Sequence, residues 1–176
     1  KGEIIARHRK MHLFDIDVKD GIRFFESETL SPGEDVAVFE TPFGKVVLAI
    51  CYDMRFPELM RLIALKGAKL IVIPAAFNRT TGPAHWKMTA KTRALDNQVY
   101  FAAVSPAVDW NATYNAYGHT IFVDPWGRVV DELDDGEGLL VCELENELIE
   151  KVRKELPLMK HRRTDLYEII FKGDGM

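Results

Sequence analysis

The sequence predicts an α/β fold, and three apolar runs separated by two helical patterns predict it. Residues 45–50, KVVLAI, are near-continuously apolar, as in a strand buried on both faces. Residues 69–74, KLIVIP, and 98–104, QVYFAAV, repeat that pattern. Between the first two lies PELMRLIALK (57–66), which opens on a first-turn proline and stops before Gly67. Between the second and third, residues 83–96 carry Trp86, Met88, Ala90, Ala94 and Leu95 at spacings suited to a helix. Two successive strand–helix–strand units imply a largely parallel arrangement in one sheet. Beyond Gly118 the pattern turns strand-like at 119–124 and 128–133 around Pro125-Trp126-Gly127, a tight turn. A further strand is expected over 138–143 and a helix over 145–156, ended by Pro157. The tail 160–171 reads as an extended arm, lying either on a second subunit or on its own domain.

Composition narrows the function classes. The 176 residues suit one domain, with 47% hydrophobic and 28% charged residues. A formal net charge of -4 argues against a nucleic-acid partner held by a basic field. No apolar run reaches bilayer length, and the opening KGEIIARHRK has no signal-peptide pattern. Two cysteines make no disulfide framework, so a cytoplasmic setting is expected. Ile4 and Ile5 sit in charged flanks with no turn signal or initiator Met before them, as if the chain were entered part-way through a domain.

Cys51 follows VVLAI and precedes YDMRFPEL, which enters a helix. A thiol at a strand-to-helix corner is held on a rigid turn, where amides at a helix start lower its pKa and bind an oxyanion. Cys142, in LLVCEL, reads instead as a packed strand residue. Lys10 lies among alternating apolar residues in RKMHLFDID, a strand-like pattern that puts His8 and His12 on one face. A lysine near a thiol lowers its pKa and stabilises a tetrahedral oxyanion. Glu26 follows two aromatic residues, whereas Glu28 and Glu34 read as exposed loop carboxylates. Arg55, Pro57 and Glu58 read as fixing the helix and its corner, and Asp96 and Asn97 as capping and turning the helix-to-strand connection. Phe77 and Asn78 are candidates for a pocket wall, His85 and Trp86 for its border. No metal site is expected, because the five histidines lack closed spacing with further ligands. Nor does a glycine-rich phosphate loop occur.

RKMHLFDID, ESETLSPG, AICYDMRFPEL, AAFNRTTGPAHW, RALDNQVY and GHTIFVDPWG follow one another in this order. Together they closely resemble the nitrilase superfamily of carbon–nitrogen hydrolases, from about Arg7 to about Tyr167. AFNRTTGPAHW and the closing RRTDLY look most like its omega-amidase-like branch, which cleaves short dicarboxylic acid monoamides. The resemblance implies a four-layer α-β-β-α sandwich, with residues 1–176 as a partial hydrolase domain lacking its N-terminal strands and helices. It implies Cys51 as nucleophile, Lys10 as its catalytic partner, Glu26 as support for Lys10, and the Tyr52 N–H as a second oxyanion donor. The family's general-base Glu lies upstream of residue 1, since Glu3 is too close to Lys10. No cofactor is implied; a small amide substrate and a homodimer or higher homo-oligomer are, with 57–66 and 83–96 at the interface. Many relatives carry an acidic residue directly after the His-Trp pair, where this chain has Lys87. That departure leaves room for a carbamoyl, ureido or nitrile substrate. The missing base leaves room for a non-catalytic fragment or scaffold subunit.

Overall fold

A computed structural model describes residues 2–19 and 22–173. Among them, in chain order, run β1 (Asp15–Asp17), β2 (Arg23–Phe25), β3 (Ala37–Thr41), β4 (Gly44–Leu48), α1 (Pro57–Leu65), β5 (Leu70–Pro74), α2 (Gly82–Asn97), β6 (Tyr100–Val104), β7 (Ile121–Val123), β8 (Val129–Glu132) and α3 (Asn146–Glu155). Short 3-10 turns cover Glu26–Glu28 and Cys51–Arg55. β1 and β2 form a small antiparallel pair, and β3 to β8 form a mixed sheet in chain order. The three expected buried strands become β4, β5 and β6, paired in parallel. β3, β7 and β8 extend this centre by antiparallel pairing.

Side-chain alternation gives each face its own core. Val47, Ala49, Ile71, Ile73, Phe101, Ala103, Ile121 and Val123 join Met60 and Ile63 of α1 and Trp86, Ala90 and Ala94 of α2 in the larger cluster. Trp86 is buried, and its indole N–H donates to the His119 carbonyl at 2.5 Å, so its polar atom has a partner. Replacing it with Ala would cost about 3–5 kcal/mol. On the opposite face, Tyr100 and Phe122 stack and pack with Ile149 of α3.

Local chemistry sets the element ends. Pro57 starts α1 at a position whose N–H has no partner inside the helix. α2 runs through Asn97 and stops at Gln98, in the left-handed region at φ 51°. The expected turn at Asp96 and Asn97 therefore falls one residue later. Asp124 Oδ1 accepts the N–H groups of Trp126 and Arg128, which closes the turn between β7 and β8.

Two strand expectations fail. Residues 138–143 join no ladder; Leu140, Cys142 and Leu144 pack inward against the Tyr100–Phe122 cluster, while Leu139 and Val141 stay exposed. RKMHLFDID fails over its first six residues and is a strand only at Asp15–Asp17, because the amides of Met11 and His12 turn to a buried carboxylate described below. In the tail, Tyr167 N–H bonds back to Arg163, so the start of the expected arm is turned rather than extended.

Candidate active site

The parallel strands deliver their carboxyl ends to one place, where open α/β sheets hold ligands. Cys51 follows β4, Pro74 to Asn78 end and follow β5, and Val104 to Pro106 end and follow β6. These residues line a cavity of about 1240 Å³ together with Lys10, Phe14, Glu26, Tyr52, Arg55 and Tyr114. Cys51 sits at φ 45°, in the left-handed region where a β-carbon is crowded. Such strain at a cavity wall is characteristic of a nucleophile held on a sharp turn.

The surroundings of the thiol oppose one another. Burial pushes the Cys51 thiol up most strongly, and the Glu26 charge adds to this. The Lys10 charge, an Ala76 amide and the Arg55 charge pull it down without cancelling the rise. The resting group is thus a thiol at neutral pH, poised among donors that would hold a negative charge.

Lys10 Nζ meets Glu26 Oε2 at 2.5 Å, and that same oxygen accepts the Phe14 N–H at 2.8 Å. Glu26 is half-buried at the head of its 3-10 turn, while Glu28 and Glu34 are exposed as expected. Gly33 holds the Lys10 loop from outside, its N–H donating to the Lys10 carbonyl at 2.8 Å. A β-carbon on Gly33 would lie 2.5 Å from the Arg9 carbonyl oxygen, so the approach excludes any side chain there.

The remaining candidates separate. Tyr52 packs its ring edge-on against Phe14 and Phe56 and lines the cavity. Phe77 is buried between the Trp86 ring and the Arg55 guanidinium, 4.5 Å from its centroid. Asn78 also lines the cavity, but its Oδ1 accepts from Thr80 N, Thr81 N and Thr81 Oγ1. That bonding fixes the entry to α2 and leaves the side-chain amide nitrogen as its free polar atom.

Arg55 does more than fix the corner. Its guanidinium lies on Phe77, meets His85 Nδ1 at 3.0 Å, and has no carboxylate partner among the described residues. Burial depresses its pKa, against the Cys51 and Tyr52 charges. Glu58 is exposed and does not pair with it. Lys87 pairs on the surface with Glu132 at 2.7 Å and is not part of the cavity wall. Its departure from the motif therefore does not touch the pocket.

Asp53 was not singled out from the sequence. Its carboxylate is fully buried two residues after the thiol and accepts from Ile50 N, Met11 N, His12 N, His12 Nδ1 and His8 Nε2. Burial works to raise its carboxyl, yet the bonds from His8, Ile50 and His12 outweigh it and hold the group below the usual carboxylate value. Arg93 of α2 grips the other end of the turn, donating to the Met54 and Arg55 carbonyls.

Residues 1–154 match the carbon–nitrogen hydrolase family. The chain belongs to that family. Its curated relatives include omega-amidase NIT2-A of Xenopus laevis, 51% identical over 96% of this chain and 61% of the relative. Omega-amidase NIT3 of Saccharomyces cerevisiae is 52% identical over 94% of this chain and 57% of its own length. The crystal structure of yeast Nit3, a member of branch 10 of the nitrilase superfamily, superposes with a TM-score of 0.83 at 49% identity, covering 92% of this chain and 56% of that one. The Caenorhabditis elegans NitFhit protein superposes with a TM-score of 0.84 at 36% identity, over 92% of this chain and 40% of that one. This hydrolase-family chain thus spans about three fifths of the length of the curated relatives it matches. Among the described residues no helix is long and apolar enough to cross a membrane.

Proposed function

We propose that this chain carries the nucleophile and oxyanion groups of an amidase that cleaves short dicarboxylic acid monoamides through a Cys51 thioester. The carrying observation is one cavity lined by Cys51, Lys10 and Arg55, whose guanidinium has no carboxylate partner among the described residues. The general base expected upstream takes the Cys51 proton as sulfur bonds to the amide carbon, and the carbonyl electrons move to oxygen. Lys10 and the Tyr52 N–H, which has no partner inside its own turn, hold that oxyanion. The C–N bond breaks as nitrogen takes a proton from the general base expected upstream, and ammonia leaves. Water, deprotonated by the same base, attacks the thioester, releases the acid and restores the thiol.

Arg55 supplies the substrate class. A half-buried guanidinium without a carboxylate partner among the described residues is a costly arrangement that an anionic ligand would relieve. The distal carboxylate of succinamate or a related ω-amide fits that need, in accord with the omega-amidase relatives. The test measures ammonia release by the protein as its complete reading frame encodes it. Succinamate should exceed the neutral analogue butyramide by about 100-fold in kcat/KM, as for loss of a buried charged contact. Arg55→Met should erase most of that preference. Equal rates for the two amides, or faster turnover of a nitrile or ureido acid, would refute the assignment.

The same reading extends to architecture and assembly. Exposed Leu139 lines a groove of about 490 Å³ on the sheet face away from α1 and α2, where the other half of an α-β-β-α sandwich would pack. Self-association through α1 and α2 is supported by exposed Leu65, Met88 and Leu95. Sedimentation of the complete protein at micromolar concentration should show at least a dimer, and a clean monomer would exclude this.

A further inference from the structure

We infer that Asp53 is a positioning residue that fastens the Lys10 loop to the Cys51 turn and so keeps the ammonium in register with the thiol. The inference rests on the amidase reading for its purpose but on geometry for its content. Lys10 has irregular backbone on both sides and no ladder to hold it. Its neighbours are held instead by one carboxylate. Oδ1 takes the His12 amide at 2.8 Å and His12 Nδ1 at 2.9 Å. Oδ2 takes the Ile50 amide at 3.0 Å, His8 Nε2 at 3.3 Å and the Met11 amide at 3.4 Å. Ile50 immediately precedes the nucleophile, while Met11 immediately follows Lys10. One buried group thus links the two backbones next to the two functional side chains, across some 41 residues of chain.

No neutral side chain repeats this set. Two oxygens face donors, so Asn in place of Asp would turn an NH₂ toward at least one backbone N–H. His12 completes the clamp from the solvent side, its ring stacked on Phe56 at 3.6 Å. The charged groups acting on the thiol are Lys10, Glu26 and Arg55. Asp53 is not among the main ones, so its influence on Cys51 runs through the placement of Lys10.

The test follows the pH dependence of Cys51 alkylation by iodoacetamide, which needs no amide turnover. Asp53→Asn should slow alkylation about tenfold at a fixed pH below the thiol's titration, the size expected when a neighbouring cation is lost. Lys10→Met should slow it similarly, and the double variant should be no slower than Lys10→Met alone. Parent-like alkylation of Asp53→Asn, or an additive loss in the double variant, would overturn the inference. Should Asp53→Asn fail to fold by circular dichroism, the His12 pair serves the same purpose. His12→Ala should slow alkylation several-fold, and His12→Asn, which keeps a donor but loses the stacked ring, should restore most of it. Equal effects of the two His12 variants would also overturn it. Failure of the amide panel with intact Lys10–Asp53 coupling would count against the amidase reading alone.

Discussion

Cys51 and Cys142 are both half-buried and both follow apolar runs, yet the molecule surrounds them with opposite chemistry. Cys51 leaves a paired strand on a strained turn, facing Lys10, Arg55 and an Ala76 amide. Cys142 lies in an unpaired stretch, packed near Tyr100, Phe122 and Ile149, and beyond burial it feels the negative charge of Asp131. Burial raises both thiols. What separates them is the set of groups brought from elsewhere in the chain to hold an anion. A cysteine after an apolar run is therefore not informative until its remote neighbours are known.

The sharpest way to break this contrast is to remove each sulfur. Cys51→Ala should cut amide hydrolysis by on the order of 10⁴-fold or more. Cys142→Ala should leave it within about twofold and cost about 1 kcal/mol of stability. A comparable activity loss from both would erase the distinction. Next in size is the general base. Among the described residues Glu26 is the carboxylate whose charge acts on Cys51, and it is bonded to Lys10 and the Phe14 amide. Residues 1–176 alone should hydrolyse succinamate about 10²–10⁴-fold more slowly than the complete reading frame's product. Equal turnover would put the base inside this sequence and overturn the catalytic set. The smallest effect concerns the thiols themselves. Iodoacetamide adducts mapped by mass spectrometry should favour Cys51 about tenfold over Cys142. Because both are raised, both rates should climb as the pH passes the ordinary thiol value of about 8.5, with little thiolate below it. Preferential labelling of Cys142 would reverse the comparison.

The sheet centre was legible because buried parallel strands are written as unbroken apolar runs, and β4, β5 and β6 are such runs. Cys51, Lys10 and Glu26 were legible through ordered motifs, and the fold brings them to one cavity. Asp53 was not, since all its donors but the Ile50 amide lie more than 40 residues away, which no local pattern encodes. The same carboxylate explains why RKMHLFDID is a strand only at its last three residues: the amides of Met11 and His12 and the His12 imidazole bond to Asp53 rather than to a ladder. Residues 138–143 misled in a related way, because alternation records which side chains point inward and not whether a neighbouring strand is present. Arg55 was underrated because a guanidinium at a helix start is commonly a surface ion pair, and only the fold shows it against Phe77 with no such pair among the described residues.

The sheet is laid down in the order in which the chain is written. Each strand from β4 to β8 pairs with the one before it, so none has to thread between two partners already joined. A growing chain could add strands at one edge, each addition closing a connection shorter than the span from His12 to Asp53. The link between His12 and Asp53 has no such advantage, spanning 41 residues and leaving the sheet altogether. Assembly of the sheet and maturation of the site would then be separate events. Hydrogen exchange during refolding should find the β5 and β6 amides protected before those of Met11 and His12.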